Sequence, residues 1–315
     1  MNRRGMRETL VIALGGNALI RKGQAGTIEE QFANLKGPMQ QIARLSMDFR
    51  IIITHGNGPQ VGNLLLQQES CCDVPKLPLE ILVAQTQGQL GYMIESTLDT
   101  EFMKIKGAQS KQLVSLISYV VVDEADPAFQ KPSKPVGPSY PEGAVDSLPW
   151  PVVKTANGYR RVVASPAPVT IVEKQEIRKL VAMDFIVICC GGGGIPVIRE
   201  ERGFHGVDAV IDKDLASARL ASEVEADVLV IATDVEGAAL SFGQPEQKFL
   251  RHISCVQAEQ WLRQGHFPAG SMGPKVKAAV QFVREGGKRS IITSLDAICE
   301  AVSGTAGTEI RKHGG

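Results

Sequence analysis

Short apolar runs that do not alternate with polar residues constrain this chain more than any other feature. Leu10–Leu14, Ile51–Thr54, Phe185–Cys190, Val228–Thr233 and Ser290–Thr293 are bounded by glycine or polar loops. A strand with no polar face is buried on both sides, the mark of a parallel sheet covered by helices. Longer amphipathic stretches fall between the runs. They predict helices over Ile28–Met47, Leu79–Lys104, Glu173–Met183, Asp212–Glu223 and Pro274–Glu285, the second softly broken near Gly88 and Gly91. Leu113–Asp123 reads as one long strand or a pair. The alternation predicts an α/β fold, a three-layer αβα sandwich with an open, mainly parallel central sheet. Ligands of such sheets sit at the carboxyl ends of the strands.

One segment breaks the rhythm. Asp126 to Pro168 is rich in proline and glycine yet carries Phe129, Tyr140, Trp150, Tyr159 and the strand-like Arg160–Ala164. A linker is one reading. The aromatic content favours a small folded excursion able to act as a lid.

Chemistry concentrates where the runs end. Gly15-Gly16-Asn17 follows the first strand, and His55-Gly56-Asn57-Gly58-Pro59 follows the second. Gly191 to Gly194 follow the Phe185 run, Thr233-Asp234 the Val228 run, and Gly270 to Lys275 open the Pro274 helix. A glycine pair after a strand is ordinarily only a turn. Four consecutive glycines cost backbone entropy with no packing in return. Such loops let the backbone approach an anion and aim N–H groups at it, and Pro59 suits the first turn of a helix whose N-terminus would face the same anion.

No GxxxxGK[ST] loop occurs, and no GxGxxG fingerprint with a following acidic residue. Positive charge must therefore come from side chains. Lys134, Lys213 and Lys275 are the candidates, and Asp212-Lys213-Asp214 alternates charge at a helix start. A lone lysine is ordinarily a solvated surface cation. Phosphoryl transfer, however, is catalysed mainly by positioning and charge neutralisation, which ammonium groups, backbone N–H groups and Mg²⁺ can supply. The five histidines have no ligand spacing, so no protein metal site is expected, and His55 reads as structural. No GxSxG nucleophile motif occurs.

Bulk properties exclude other classes. The 34 Lys and Arg balance 34 Asp and Glu, which asks for neither nucleic acid nor an anionic membrane as partner. Six cysteines include no CxxC, and Cys189 and Cys190 end an apolar run, so reduced buried thiols and a cytoplasmic protein are expected. Met1 to Met6 is short and basic, and no apolar run reaches membrane-span length.

Taken together, the loops resemble those of the carbamate kinases in the amino acid kinase family. The matching strings are Ala13–Leu19, Thr54–Asn63, Thr86–Tyr92, Asp126–Phe129, Pro132–Pro135, Arg160–Pro166, Gly191–Val197, Ala209–Ser217 and Gly270–Val276. The resemblance implies one domain over residues 1–315. Its N-lobe, about 8–190, would take carbamate or carbamoyl phosphate and carry a protruding subdomain over about 124–168. Its C-lobe, about 191–311, would take ATP or ADP with Mg²⁺. The same resemblance implies a homodimer. Carried onto matching positions, Lys134 would reach carbamoyl phosphate from the subdomain. Lys213 and Lys275 would neutralise phosphates, and Asp214 would orient them. Gly15, Gly16, Asn17, Gly56, Asn57 and Gly58 would hold the moving phosphoryl and the carbamate. Gly191, Gly192, Gly193, Thr233, Asp234, Ser271 and Met272 would line the nucleotide.

Two departures stand out. Where the family commonly has tyrosine and asparagine near the adenine, this chain has Ala239 and Ser241. The stretch from Tyr140 to Tyr159 is shorter than usual, and an acidic-glycine string has become Thr155-Ala-Asn-Gly158. They leave open a related enzyme with a different small carboxylate acceptor, or a nucleotide-binding regulator without catalysis.

Overall fold

The computed structural model describes residues 7–71, 73–106, 111–155, 158–268 and 270–313. The basic stretch Met1 to Met6, Cys72 and the Ala156-Asn157 pair lie outside the described residues.

Among the described residues, eight strands form the central sheet. Their order is His252–Ser254, Thr308–Arg311, Arg289–Ser294, Val228–Thr233, Thr9–Leu14, Arg50–His55, Phe185–Ile188, Gln112–Ser115. The last six run parallel. Thr308–Arg311 pairs antiparallel with Arg289–Ser294 and carries His252–Ser254 parallel beside it, so two edge strands oppose the rest.

The missing alternation now has its cause. Val11, Ala13, Ile52, Val187, Leu229 and Ile231 pack on one face against Ile177, Ala216, Leu220, Ala278 and Phe282. Leu10, Ile12, Ile51, Ile53, Ile186 and Val230 pack on the other against Leu35, Met39, Ile42, Leu90 and Ile94. Burying each such large aliphatic side chain contributes about 1.5–3 kcal/mol.

Local signals place the helix ends. Helix Ile28–Leu45 starts at a capping box, where Thr27 Oγ1 accepts from Glu30 N at 3.3 Å and Glu30 Oε2 accepts from Thr27 N at 3.0 Å. Helix Leu79–Phe102 runs unbroken through Gly88 and Gly91, against the expectation of a soft break. A Cβ on Gly91 would lie 2.7 Å from Ser115 Oγ, so this glycine lets an edge strand approach the helix. The Leu113–Asp123 stretch is a pair of strands in different sheets. Gln112–Ser115 joins the central sheet, and Tyr119–Val122 joins a four-stranded sheet with Gly203–Gly206, Ile195–Glu200 and Pro168–Ile171.

The proline-rich excursion is folded. Lys134–Tyr140, Gly158–Val163 and Val152–Thr155 form an antiparallel three-stranded sheet. Its Val136 and Val163 pack with Val61 and Leu65 of helix Gly58–Ser70. That contact seats Lys134, the first residue of the sheet, over the central strands' carboxyl edge.

Helix direction does the remaining placement. Helices Lys213–Glu223 and Met272–Arg284 each precede a parallel strand, Val228–Thr233 and Arg289–Ser294. A helix that leads back to the start of a parallel strand must begin at the strands' carboxyl edge. Lys213, Asp214 and Lys275 therefore arrive on the same edge as the glycine loops.

Candidate active site

Neighbouring strands end side by side. Leu14 lies opposite both Ala232 and His55, so the loops Gly15–Asn17, Gly56–Gly58 and Thr233-Asp234 leave the sheet together. Gly15 N donates to Ala232 O at 2.9 Å, and Gly56 N to Leu14 O at 3.0 Å. Strand Phe185–Ile188, paired with Arg50–His55, brings Gly191, Gly192 and Gly193 alongside.

The tetraglycine loop fills a gap that admits no side chain. Gly192 and Gly193 have φ of +69° and +92°. A Cβ on Gly192 would lie 2.2 Å from Asn57 Nδ2, and one on Gly193 would lie 2.3 Å from Ile211 O. Both the left-handed backbone and the crowding demand glycine. The loop thus lies between Asn57 and the chain entering Asp212.

Three lysines meet at two aspartates. Lys213 Nζ lies 2.6 Å from Asp214 Oδ1, and Lys275 Nζ lies 2.9 Å from Asp214 Oδ2. Lys134 Nζ lies 2.8 Å from Asp212 Oδ2. Asp212 Oδ1 accepts from Asp214 N at 3.0 Å and caps the helix, joining Lys134 to the helix start that carries Lys213. Burial alone would raise the Asp214 carboxyl. Two adjoining ammonium groups outweigh it and hold the pKa below the ordinary carboxylate range. The Lys213 ammonium is pushed down by burial and by Lys275, with Asp214 opposing.

Buried polar residues hold this arrangement. Asn57 Nδ2 donates to Thr86 Oγ1 at 2.8 Å. Gln87 Nε2 donates to Gly191 O at 3.0 Å, while Gln87 Oε1 accepts from Ser118 N at 2.9 Å. Ser217 Oγ donates to Lys213 O and lies 2.6 Å from Thr54 Oγ1. His55 is 2% exposed and lies against Gly191, with Nδ1 3.1 Å from Gly56 O. Burial, reinforced by Lys213, lowers its pKa to about 4, so the ring is neutral at pH 7.

A cavity of about 240 Å³ opens beside Lys275 and is also lined by Thr233, Asp234, Ser271, Met272 and Phe242. Asn17 lines an adjoining recess shared with Thr233 and Asp234. Gly16 and Gly56 adjoin each other, and a Cβ on Gly56 would lie 3.6 Å from Lys213 Cδ. Gly58 opens helix Gly58–Ser70. The structure thus brings the expected residues to one edge in two adjoining groups, the glycine loops with the lysines and the cavity beside Lys275. Among the described residues no group of three or more His, Cys, Asp or Glu is placed to hold a metal.

Sequence reading left Thr86, Gln87, Ser118 and Phe242 without roles. Thr86 and Gln87 stand inside the quoted Thr86–Tyr92 string, whose polar residues within an apolar helix were the available signal. Ser118 carries no local signal.

Residues 8–294 match the family model described as the amino acid kinase family. The chain belongs to that family. Within it, carbamate kinases are among its relatives. The carbamate kinase of Thermococcus kodakarensis is 47% identical over 311 residues, covering 96% of this chain and 98% of that protein. Carbamate kinase 2 of Enterococcus faecalis is 45% identical over 314 residues, covering 96% and 99%. The structure of Giardia lamblia carbamate kinase bound to AMP-PNP superposes with a TM-score of 0.91 at 39% identity, covering 98% of this chain and 99% of that one.

Proposed function

We propose that this chain is a carbamate kinase, transferring a phosphoryl group between carbamoyl phosphate and ADP, or in reverse from ATP to carbamate. The observation that carries the reading is the meeting of Lys134, Lys213 and Lys275 at Asp212 and Asp214 beside the glycine loops. A phosphoryl in flight spreads charge over its equatorial oxygens, and fixed cations in a site of low water content stabilise it strongly.

The roles follow from position. Lys213 and Lys275 take the phosphates, with Asp214 fixing their angle. Lys134 comes from the three-stranded sheet and serves the carbamoyl side. Asn57, steadied by Thr86, and the N–H groups of Gly16 and Asn17 orient the phosphoryl, those of Gly15 and Gly56 being held by the strand ends. The Giardia lamblia relative holds AMP-PNP; a nucleotide here would lie in the cavity bordered by Thr233, Asp234, Ser271 and Met272. Mg²⁺ entering with the nucleotide would neutralise phosphate charge. It needs no protein cage, because phosphate oxygens and water fill most of its octahedral shell. Asp234 is the cavity carboxylate best placed to meet it, since Asp214 is committed to two lysines.

Carbamoyl phosphate is a mixed anhydride, so transfer to ADP is the downhill direction, and ATP formation is the role we assign, in amino acid or purine breakdown. A cytoplasmic homodimer belongs to the same reading. Ile81 and Tyr92 stand exposed on one face of helix Leu79–Phe102 and offer apolar surface for a second subunit. No helix among the described residues is long and apolar enough to cross a membrane.

The test is ATP formation from ADP and carbamoyl phosphate, with and without Mg²⁺, in the wild type and in Lys213→Ala. Transfer should require Mg²⁺, and the variant should lose on the order of 10²–10³ in turnover, the cost of one charge-stabilising donor. Wild-type turnover in the variant removes Lys213 from the chemistry; no transfer by the wild type refutes the assignment.

A further inference from the structure

Among the described residues, two ion pairs tie the three-stranded sheet to the main body. Lys134 and Val136 are alternate residues of strand Lys134–Tyr140 and share a face. Val163 and Arg161 stand opposite them on strand Gly158–Val163 and share that face too. Val136 and Val163 pack with Val61 and Leu65, so this face is turned toward the body. From it Lys134 Nζ reaches Asp212 Oδ2 at 2.8 Å, and Arg161 Nη2 reaches Asp208 Oδ2 at 2.6 Å. Both carboxylates belong to the segment leading from strand Gly203–Gly206 into helix Lys213–Glu223. That segment is fixed. Ala209 and Ile211 are buried, and Val210 N donates to Ala164 O at 3.0 Å, just past the end of strand Gly158–Val163. The Arg161 guanidinium also lies 5.1 Å from the centre of the Trp150 ring, which braces it from the subdomain side. At the far end of the sheet Tyr140 Oη donates to Glu69 Oε2 at 2.7 Å, a link to helix Gly58–Ser70 and not to this segment.

We propose that Arg161 and Asp208 are positioning residues for Lys134, their ion pair holding the three-stranded sheet against the segment that carries Asp212. This rests on the reading above, in which Lys134 serves the carbamoyl side, and goes beyond it to what keeps that lysine in reach. An ammonium that turns to a phosphate must release Asp212, and the sheet then loses one of its two ion pairs. The Arg161–Asp208 pair remains. It leaves the sheet about 6.6 Å from Lys134 along the strand, near enough to limit how far the lysine end can swing. Arginine suits the task, because its flat guanidinium lies on an indole while one edge meets a carboxylate, which an ammonium cannot do. The Asp208 side chain is 58% exposed, and an exposed ion pair adds little to global stability. The pair therefore bears on where the sheet rests and hardly on whether the chain folds.

The experiment is steady-state transfer from carbamoyl phosphate to ADP by the full chain, in wild type and Asp208→Ala, repeated with Lys134→Ala in both, and hydrogen exchange at Val210 in the same proteins. Asp208→Ala should raise KM for carbamoyl phosphate about fivefold, the factor carried by one braced ion pair at the surface, and leave KM for ADP within about twofold. With Lys134 already removed, Asp208→Ala should change the same KM by less than about twofold, because a residue that acts through Lys134 has nothing left to position. A merely structural role would act alike in both backgrounds. The Val210 amide bonds across the seam to Ala164, so it should exchange about fivefold faster in Asp208→Ala. The unfolding temperature of Asp208→Ala, expected within about 2 °C of wild type, is the control. Equal effects in the two backgrounds overturn the inference, as does an unchanged KM for carbamoyl phosphate or wild-type exchange at Val210. No transfer by the wild type defeats the proposed reaction, and the role for Lys134 falls with it. Transfer by the wild type with no change in Asp208→Ala defeats the tether alone.

Discussion

Replacing Asp214 by asparagine removes the one negative charge shared by two largely buried ammonium groups. In the wild type Asp214 is 4% exposed, with Lys213 at 2.6 Å and Lys275 at 2.9 Å. The amide keeps one acceptor oxygen for one lysine and turns two N–H donors toward the other. Removing one partner of a buried ion pair costs about 3–5 kcal/mol, because the remaining charge stays desolvated. Unfolding entropy near the midpoint is about 2.1 cal/mol/K per residue, hence about 0.7 kcal/mol/K for 315 residues. A loss of about 4 kcal/mol then lowers Tm by about 6 °C. The same two ammonium groups, released from their carboxylate, accept phosphate more readily. Saturating ADP, about a hundredfold above its Kd, stabilises a single-site protein by about 2.7 kcal/mol. Thermal unfolding of Asp214→Asn with and without ADP should show a lower starting Tm and a larger upward shift than the wild type. A variant whose Tm lies within about 1 °C of wild type, or whose ADP shift is no larger, would falsify the reasoning that Asp214 is the resting counterion of a phosphate site.

Two further outcomes follow from single contacts. His55 has its folded pKa lowered from 6.5 to about 4, so the unfolded chain takes up this proton first as pH falls. Stability is therefore full above about pH 6.5 and declines toward pH 4, by roughly 3 kcal/mol at 1.36 kcal/mol per unit; urea unfolding at stepped pH should show this slope in the wild type and not in His55→Gln. Lys134 is partly exposed and its ion pair with Asp212 is peripheral, so Lys134→Ala should cost under about 1 kcal/mol of stability. Its effect should fall on carbamoyl phosphate, with KM for that substrate raised at least about tenfold and KM for ADP within about twofold, as expected for one lost charged contact on one substrate; equal effects on both substrates would contradict its assignment.

Much of the central sheet was legible because burial on both faces writes itself as unbroken apolar runs, as in Leu10–Leu14 and Val228–Thr233. Loops at strand ends were legible because four glycines in a row cost more backbone entropy than a plain turn requires; the crowding by Asn57 and Ile211 that demands them shows only in the folded chain. The edge was not. Thr308–Arg311 and His252–Ser254 are short, and their direction depends on pairing across the fold. Gly91 misled for a related reason: its partner Ser115 is distant in sequence, so a glycine required by a neighbour reads as a breaker. Asp212 stood in view within Asp212-Lys213-Asp214, but its cap and its grip on Lys134 are properties of the folded chain.

Asp212 gives one oxygen to the helix start and the other to Lys134, which belongs to a different sheet. On the reading proposed above, an incoming acyl phosphate would draw Lys134 away and leave that second oxygen bare, one residue from Lys213. Once the phosphate's charge had moved on to the nucleotide, that oxygen would draw the ammonium back. Resetting between turnovers would then follow from the resting ion pair, and the speed of the return should slacken as added salt screens the pull.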